Sequence, residues 1–380
     1  FPVVSGPYKI KEVREARYVE LERNQDWWGF TKNWNRGKYN FEKIKFRFME
    51  DQTKVLEAFK KQNFDAYALY TSAIWMKQTD FDAVQKGYVV KQKIYNKEPI
   101  GFQGMAFNLR KEKFQDVRVR KALSMLMNRE MMNEKYMYNQ YFLLNSYYPD
   151  LWENNKNPSA PEFAYAPDSA RKLLSEAGFV PDAEGMLSKN GQPFEITFIT
   201  SSSEMRHLTL YQEDLKKAGI RVNIEQMSQS TLRKRLDEAD FDMYWVNWGA
   251  GRLRDPEASW HSATANAKGT NNLSGLQDAV VDSLINLQKT EFNLEKRNEI
   301  LRSLDHRLTE LVPYVLMWQA DHHRMLYWNR FGTPEKVFDK FGREESIPVY
   351  WFYDAKKASA LNKAIKEGKT LPLEPKEVRQ

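Results

Sequence analysis

The sequence predicts an α/β fold, and three stretches carry that prediction. Residues 104–128 give a short apolar run, Gly104-Met-Ala-Phe-Asn108, and then, from Asp116, the apolar residues Val119, Ala122, Leu123, Leu126 and Met127 at helical spacing behind an acidic N-cap. That reads as strand, loop, helix. Residues 41–48 alternate through Phe41, Ile44, Phe46 and Phe48, and 52–62 carry Val55, Leu56 and Phe59 at helical spacing before Phe64-Asp65-Ala66. This second stretch is a strand-helix-strand unit, which favours an α/β layer. The third is a strand at 194–198, a helix at 208–218 closed by Gly219, and a strand at 220–224.

At 380 residues, 42% hydrophobic and 14% aromatic, the chain is long enough for two or three domains with sizeable cores. No window approaches the roughly 18 apolar residues of a membrane span. Cysteine is absent, which removes disulfides, thiolate catalysis and cysteine metal sites. The net charge of +7 is the difference between 58 basic and 51 acidic residues, dispersed along the chain, and the densest basic cluster, Arg233-Lys234-Arg235, sits beside Asp237 and Glu238. A nucleic-acid partner would need a concentrated basic face, so none is expected. No nucleophile elbow, Walker loop or GxGxxG occurs, and His322-His323 comes without an HExxH or a carboxylate set. Neither enzyme activity, nor a metal, nor a cofactor is expected.

In order along the chain, Gly6-Pro7 is a turn before a strand pair whose apolar residues alternate through Val19 and Leu21 to Asn24, followed by Asp26-Trp27-Trp28-Gly29. After the 41–66 unit, 89–94 is a strand, and Pro99-Ile-Gly-Phe-Gln103 leads into Phe107 and Asn108. Residues 136–149, from Tyr136 to Tyr147, Tyr148 and Pro149, are dense in aromatic and amide groups and read as an exposed, positioned loop. Residues 168–178 form an amphipathic helix closed by Gly178. Residues 241–249 are a strand running through Trp248 into Gly249-Ala-Gly251-Arg252-Leu-Arg254-Asp255-Pro256. Ligands in such folds bind at loops beyond strand ends. Arg252 or Arg254 can hold a carboxylate or phosphate bidentately, and Asp255 and Glu257 are the acids nearby. A helix at 295–311 and a strand at 312–318 follow. From Lys363 onward the chain is charged, contains proline and reads as a loose end.

Several of these passages resemble family 5 extracellular solute-binding proteins, the peptide, dipeptide and nickel receptors of ABC importers. The resemblance is carried by A-F-N followed by F-x-D-x-R-V-R-x-A-L, by G-P-Y-K-I with N-x-D-W-W-G, and by D-x-x-x-A-x-x-L-L-x-x-A-G-F at 168–179. Gln103-Gly-Met-Ala-Phe-Asn108, His323-Arg-Met-Leu-Tyr-Trp-Asn-Arg-Phe-Gly332 and Tyr350-Trp-Phe-Tyr-Asp354 look most like the YejA-like oligopeptide and microcin C receptors. The resemblance spans Ser5 to about Leu361.

It implies a two-lobed periplasmic binding protein fold (type II, cluster C) with lobe I incomplete at its N-terminus, since the chain lacks an initiator Met and the G-P-Y passage lies well inside relatives. Residues 1–108 would be part of lobe I, 109–315 lobe II, and 316–380 the return to lobe I and a tail, with the 102–108 strand as the first crossing. The implied function is that of an extracytoplasmic, periplasmic receptor, monomeric and without cofactor, which binds oligopeptides between its lobes and delivers them to an ABC permease in the inner membrane. Another ligand of the same fold, such as an oligosaccharide, is the alternative, and a carbohydrate-active hydrolase is the alternative from another class. The ligand-binding residues would be Trp248, Gly249, Arg252, Arg254 and Asp255, with Phe107, Asn108 and Tyr147. By resemblance 70–75 is a cleft-facing loop, whose Tyr70 and Trp75 are equally ligand contacts or packing. The Asp that pairs with a peptide's α-amino group in relatives is matched by Gly251, and an Arg usual in the 143–144 pair is replaced by leucines.

Overall fold

A computed structural model describes residues 3–49, 51–202 and 206–380, so Phe1 and Pro2 of the opening lie outside the described residues. By contacts the chain forms two units, one of residues 1–98 and 321–380, the other Pro99–Ala320.

The second unit is built on a five-stranded mixed sheet in the order Arg221–Gln226, Glu195–Thr200, Met243–Trp248, Phe102–Phe107, Tyr314–Leu316. The first three run parallel, and Phe102–Phe107 is antiparallel to both of its neighbours. Successive side chains of a strand point to opposite faces, and here both faces are buried. Met105 and Phe107 face Val119, Leu123, Ala170 and Leu174 of the helices Val117–Met125 and Pro167–Glu176. Phe102 and Ala106 face Val281, Ile285, Leu301 and Leu304 of the helices Ala279–Thr290 and Leu294–Leu311. Between them Gly104 admits no side chain, because a Cβ would lie 2.6 Å from the Val315 carbonyl oxygen. Asp116 caps its helix by accepting from the Arg118 N–H at 2.8 Å, as its position in the sequence predicts.

Two expectations about this strand change. All of Phe102–Phe107 pairs inside the second unit, with Met243–Trp248 and Tyr314–Leu316, rather than crossing from one unit to the other. The chain passes between units at 98/99 and 320/321, not at 108/109 and 315/316. Periodicity marks a strand but not its partners, and the partners here lie more than a hundred residues away.

The first unit holds an antiparallel meander, Tyr8–Arg14, Tyr18–Arg23 and Lys43–Arg47, and a four-stranded sheet in the order Glu377–Arg379, Val89–Tyr95, His323–Trp328, Ala66–Ala68. The strand-helix-strand unit expected at 41–66 is divided between them. Lys43–Arg47 pairs with Tyr18–Arg23, while Ala66–Ala68 pairs with His323–Trp328. The helix between them, Gln52–Lys60, packs Leu56 and Phe59 against Leu326 and Trp328.

The tail is not loose. Helix Ala355–Glu367 is capped by Asp354 and closed by Gly368 at φ +66°, and Glu377–Arg379 adds a parallel strand to Val89–Tyr95. Tyr88 Oη donates to the Lys369 carbonyl at 2.7 Å, and Gln380 Oε1 accepts from the Val337 N–H at 2.8 Å. Three residues of strand after two prolines leave no periodicity to read, and the partner that orders them is nearly three hundred residues earlier. A chain ended after Gly368 loses these bonds and is expected to destabilise the first unit by about 2–4 kcal/mol, read as a lower midpoint in urea unfolding.

Candidate functional site

The end of strand Met243–Trp248 organises the site. Its antiparallel register sets Trp248 opposite Phe102, and the alternation that puts Tyr244, Val246 and Trp248 on one face turns them to the aromatic side of the sheet. Trp248 Nε1 donates to Tyr314 Oη at 3.3 Å. Beneath it, Phe102, Tyr147, Trp260 and Tyr314 pack so that every pair of rings has centroids 5.0–6.1 Å apart, mostly edge to face. Burial pushes the Tyr147 and Tyr314 hydroxyls well above the ordinary phenol range, so both stay neutral. The chain then leaves the sheet as an exposed loop, Gly249 to Asp255, whose first residue lies against Gly101. A Cβ on Gly101 would meet the Trp248 carbonyl oxygen at 1.8 Å.

Within the loop the two arginines separate. Arg252 is exposed, whereas the Arg254 side chain is nearly buried, forms an ion pair with Asp150, and lies 5.7 Å from the Tyr148 ring centroid. Its carbonyl accepts from Arg297 Nη2 at 3.0 Å. Arg254 is therefore engaged within the protein, which corrects its reading as a cation open to a ligand: burial beside a carboxylate is not visible in local sequence. Asp255 is exposed and accepts from the Glu257 N–H at 3.1 Å, an Asx turn into helix Glu257–Trp260, and the Glu257 carboxylate pairs with Lys289 at 2.5 Å.

The segment 136–149, expected as an exposed loop, ends directly before Asp150. It is instead buried from Ser146 to Pro149, because the fully buried Asp305 of helix Leu294–Leu311 gathers it. Ser146 Oγ, the Tyr147 N–H and Trp152 Nε1 donate to this carboxylate at 2.7 Å each, and Asn157 Nδ2 at 2.9 Å. At the other end Arg129 donates to the Leu144 carbonyl at 2.7 Å.

The structure gathers Trp248, Gly249, Arg252, Arg254, Asp255 and, through Tyr314, Tyr147. Phe107 and Asn108 lie at the far end of the sheet: Phe107 pairs with Met243 and not with Trp248, five residues or about 17 Å away. Both are fully buried, Phe107 in the core, Asn108 donating to the carbonyls of Ala239 and Phe241 at 2.9 and 2.8 Å. Their place in a quoted motif thus reflects packing and loop closure. In the first unit, residues 72–78 are a helix and not a loop, and Trp75, 3% exposed, packs with Leu56 and Phe59 under the Lys91 ammonium. Tyr70, 62% exposed, bonds Glu344 and lines a cavity of about 830 Å³ with Phe46, Phe48 and Tyr67. Gly101, Phe102, Trp260 and Tyr314 were missed as site residues. Only the aromatic ending of the apolar run before Gln103 hinted at them. Among the described residues no group of His, Asp and Glu is placed to hold a metal, and no helix is long and apolar enough to cross a membrane.

The family model for bacterial extracellular solute-binding proteins, family 5 Middle, matches residues 1–271. The chain belongs to family 5. YejA of Escherichia coli (strain K12) is 28% identical over 97% of this chain and 66% of its own length. The protein called probable peptide-binding protein YejA in Agrobacterium fabrum is 30% identical over 88% of this chain and 60% of its own length. The chain thus spans 60–66% of these relatives. Among solved structures, the oligopeptide-binding protein AppA of Bacillus subtilis, determined with a nonapeptide, superposes with a TM-score of 0.74 at 20% identity, over 92% of this chain and 66% of that one. The fold is the α/β fold of type II periplasmic binding proteins.

Proposed function

We propose that this family 5 chain is part of a periplasmic receptor that binds oligopeptides and hands them, unaltered, to an ABC permease in the inner membrane, acting as a monomer. The observation that carries the reading is the exposed loop 249–255 leaving the sheet at Trp248, above a shelf of packed aromatic rings, in a family whose members include proteins named for peptide binding. An extended peptide offers backbone polar groups to such a loop and side chains to aromatic walls. We assign the exposed Arg252 as the residue that meets a ligand carboxylate.

Native mass spectrometry of the protein purified from its own cells tests this. Co-purified peptides of a few residues are expected. Saccharides or other non-peptide ligands in their place would overturn it. For the loop, Trp248→Ala and Arg252→Ala are each expected to cost about 1–3 kcal/mol of peptide affinity, measured by titration calorimetry. Affinities equal to the parent's in both would move the site elsewhere.

A further inference from the structure

We infer that Asp150 and Arg254 are positioning residues that fix the ligand-facing loop 249–255, an inference that rests on the receptor reading above. Gly249, Gly251 and Arg252 are exposed, a Cβ on Gly249 would meet nothing within 4 Å, and Leu253 is 74% exposed. The Arg254 side chain turns back onto the protein and is nearly buried. Its guanidinium pairs with Asp150 and lies over Tyr148, whose Oη accepts from Trp260 Nε1 at 3.1 Å, and Trp260 is one of the rings beneath Trp248.

Asp150 is itself fixed. It sits in the turn Pro149–Leu151, whose Leu151 carbonyl accepts from Arg302 Nε at 2.9 Å, two residues after the Tyr148 N–H bonds Ser146 Oγ at 3.0 Å. Ser146 is tied in turn to Asp305. The loop is therefore held at both ends, by the sheet at Trp248 and by a carboxylate on a buried segment at Arg254. A loop so pinned keeps its backbone groups in place before a ligand arrives, which lowers the ordering cost of binding.

Hydrogen–deuterium exchange on the full chain, with a titration of trialanine alongside, tests the assignment. In Asp150→Asn and in Arg254→Gln, amides of 249–255 are expected to exchange about tenfold faster, no faster again in the double variant, while strands Glu195–Thr200 and Arg221–Gln226 exchange as in the parent. Arg254→Lys is expected to recover much of the protection, and trialanine affinity to fall in step with loop exchange. Loop exchange within twofold of the parent in both single variants, or effects that multiply in the double, would overturn the inference. A parent that takes up no trialanine counts against the peptide reading alone, and the exchange result still decides this one.

Discussion

Asp305→Ala is expected to be among the most damaging single changes in the second unit, costing about 3–5 kcal/mol and seen as a large fall in the urea midpoint. The carboxylate is fully buried and is the acceptor for four donors drawn from four residues of one loop: Ser146 Oγ, the Tyr147 N–H, Trp152 Nε1 and Asn157 Nδ2. Removing it strands all four, and each buried donor left without a partner costs more than the bond contributed. Loop 144–157 then loses its anchor on helix Leu294–Leu311, and Asp150 moves with it. Asp305→Asn keeps the shape and three of the bonds, so it is expected to cost less. A midpoint for Asp305→Ala within error of the parent would show that the loop is held by its aromatic packing alone.

The same residue gives a pH dependence with a definite sign. Burial pushes its carboxyl above the ordinary 3.8, and the hydrogen bonds pull it back only in part. A group raised in the folded state contributes stability that is fully present below its unfolded value and is lost as pH rises through the folded one. The parent's advantage over Asp305→Asn is therefore greatest in strong acid and narrows toward neutrality.

Gly101→Ala is the second large effect, and it falls on binding as well as on stability. The added methyl would lie 1.8 Å from the Trp248 carbonyl oxygen and 2.8 Å from its carbonyl carbon, both backbone atoms that cannot rotate away. The 248–249 peptide must shift, and with it the start of the ligand-facing loop. A cost of about 2–4 kcal/mol in stability is expected from a clash of this kind, with peptide affinity reduced at least tenfold in the fraction that remains folded. Calorimetric titration beside urea unfolding separates the two. Unchanged affinity with reduced stability would place the peptide away from the 248–249 turn.

What the sequence by itself determined was the kind of several local elements and the family. Helical spacing from Val119 to Met127 with Asp116 before it, glycine after the helix at 168–176, and the run ending at Trp248 all report on bonds between near neighbours in the chain, and the structure has each of them. The loop after Trp248 was legible for the same reason, since glycines following a strand mark where it ends.

Tertiary structure alone decided which elements meet. Antiparallel register put Phe107 and Asn108 at the opposite end of the sheet from Trp248, and a split between sheets broke up the expected 41–66 unit. A parallel strand of three residues fixed a tail that reads as loose. Arg254 looked equal to Arg252 in sequence, and only the tertiary structure showed Arg254 nearly buried against Asp150, 104 positions earlier, with Arg252 exposed. Pairing, burial and charge compensation all depend on distances in space between residues far apart in the chain, and no local pattern encodes those distances.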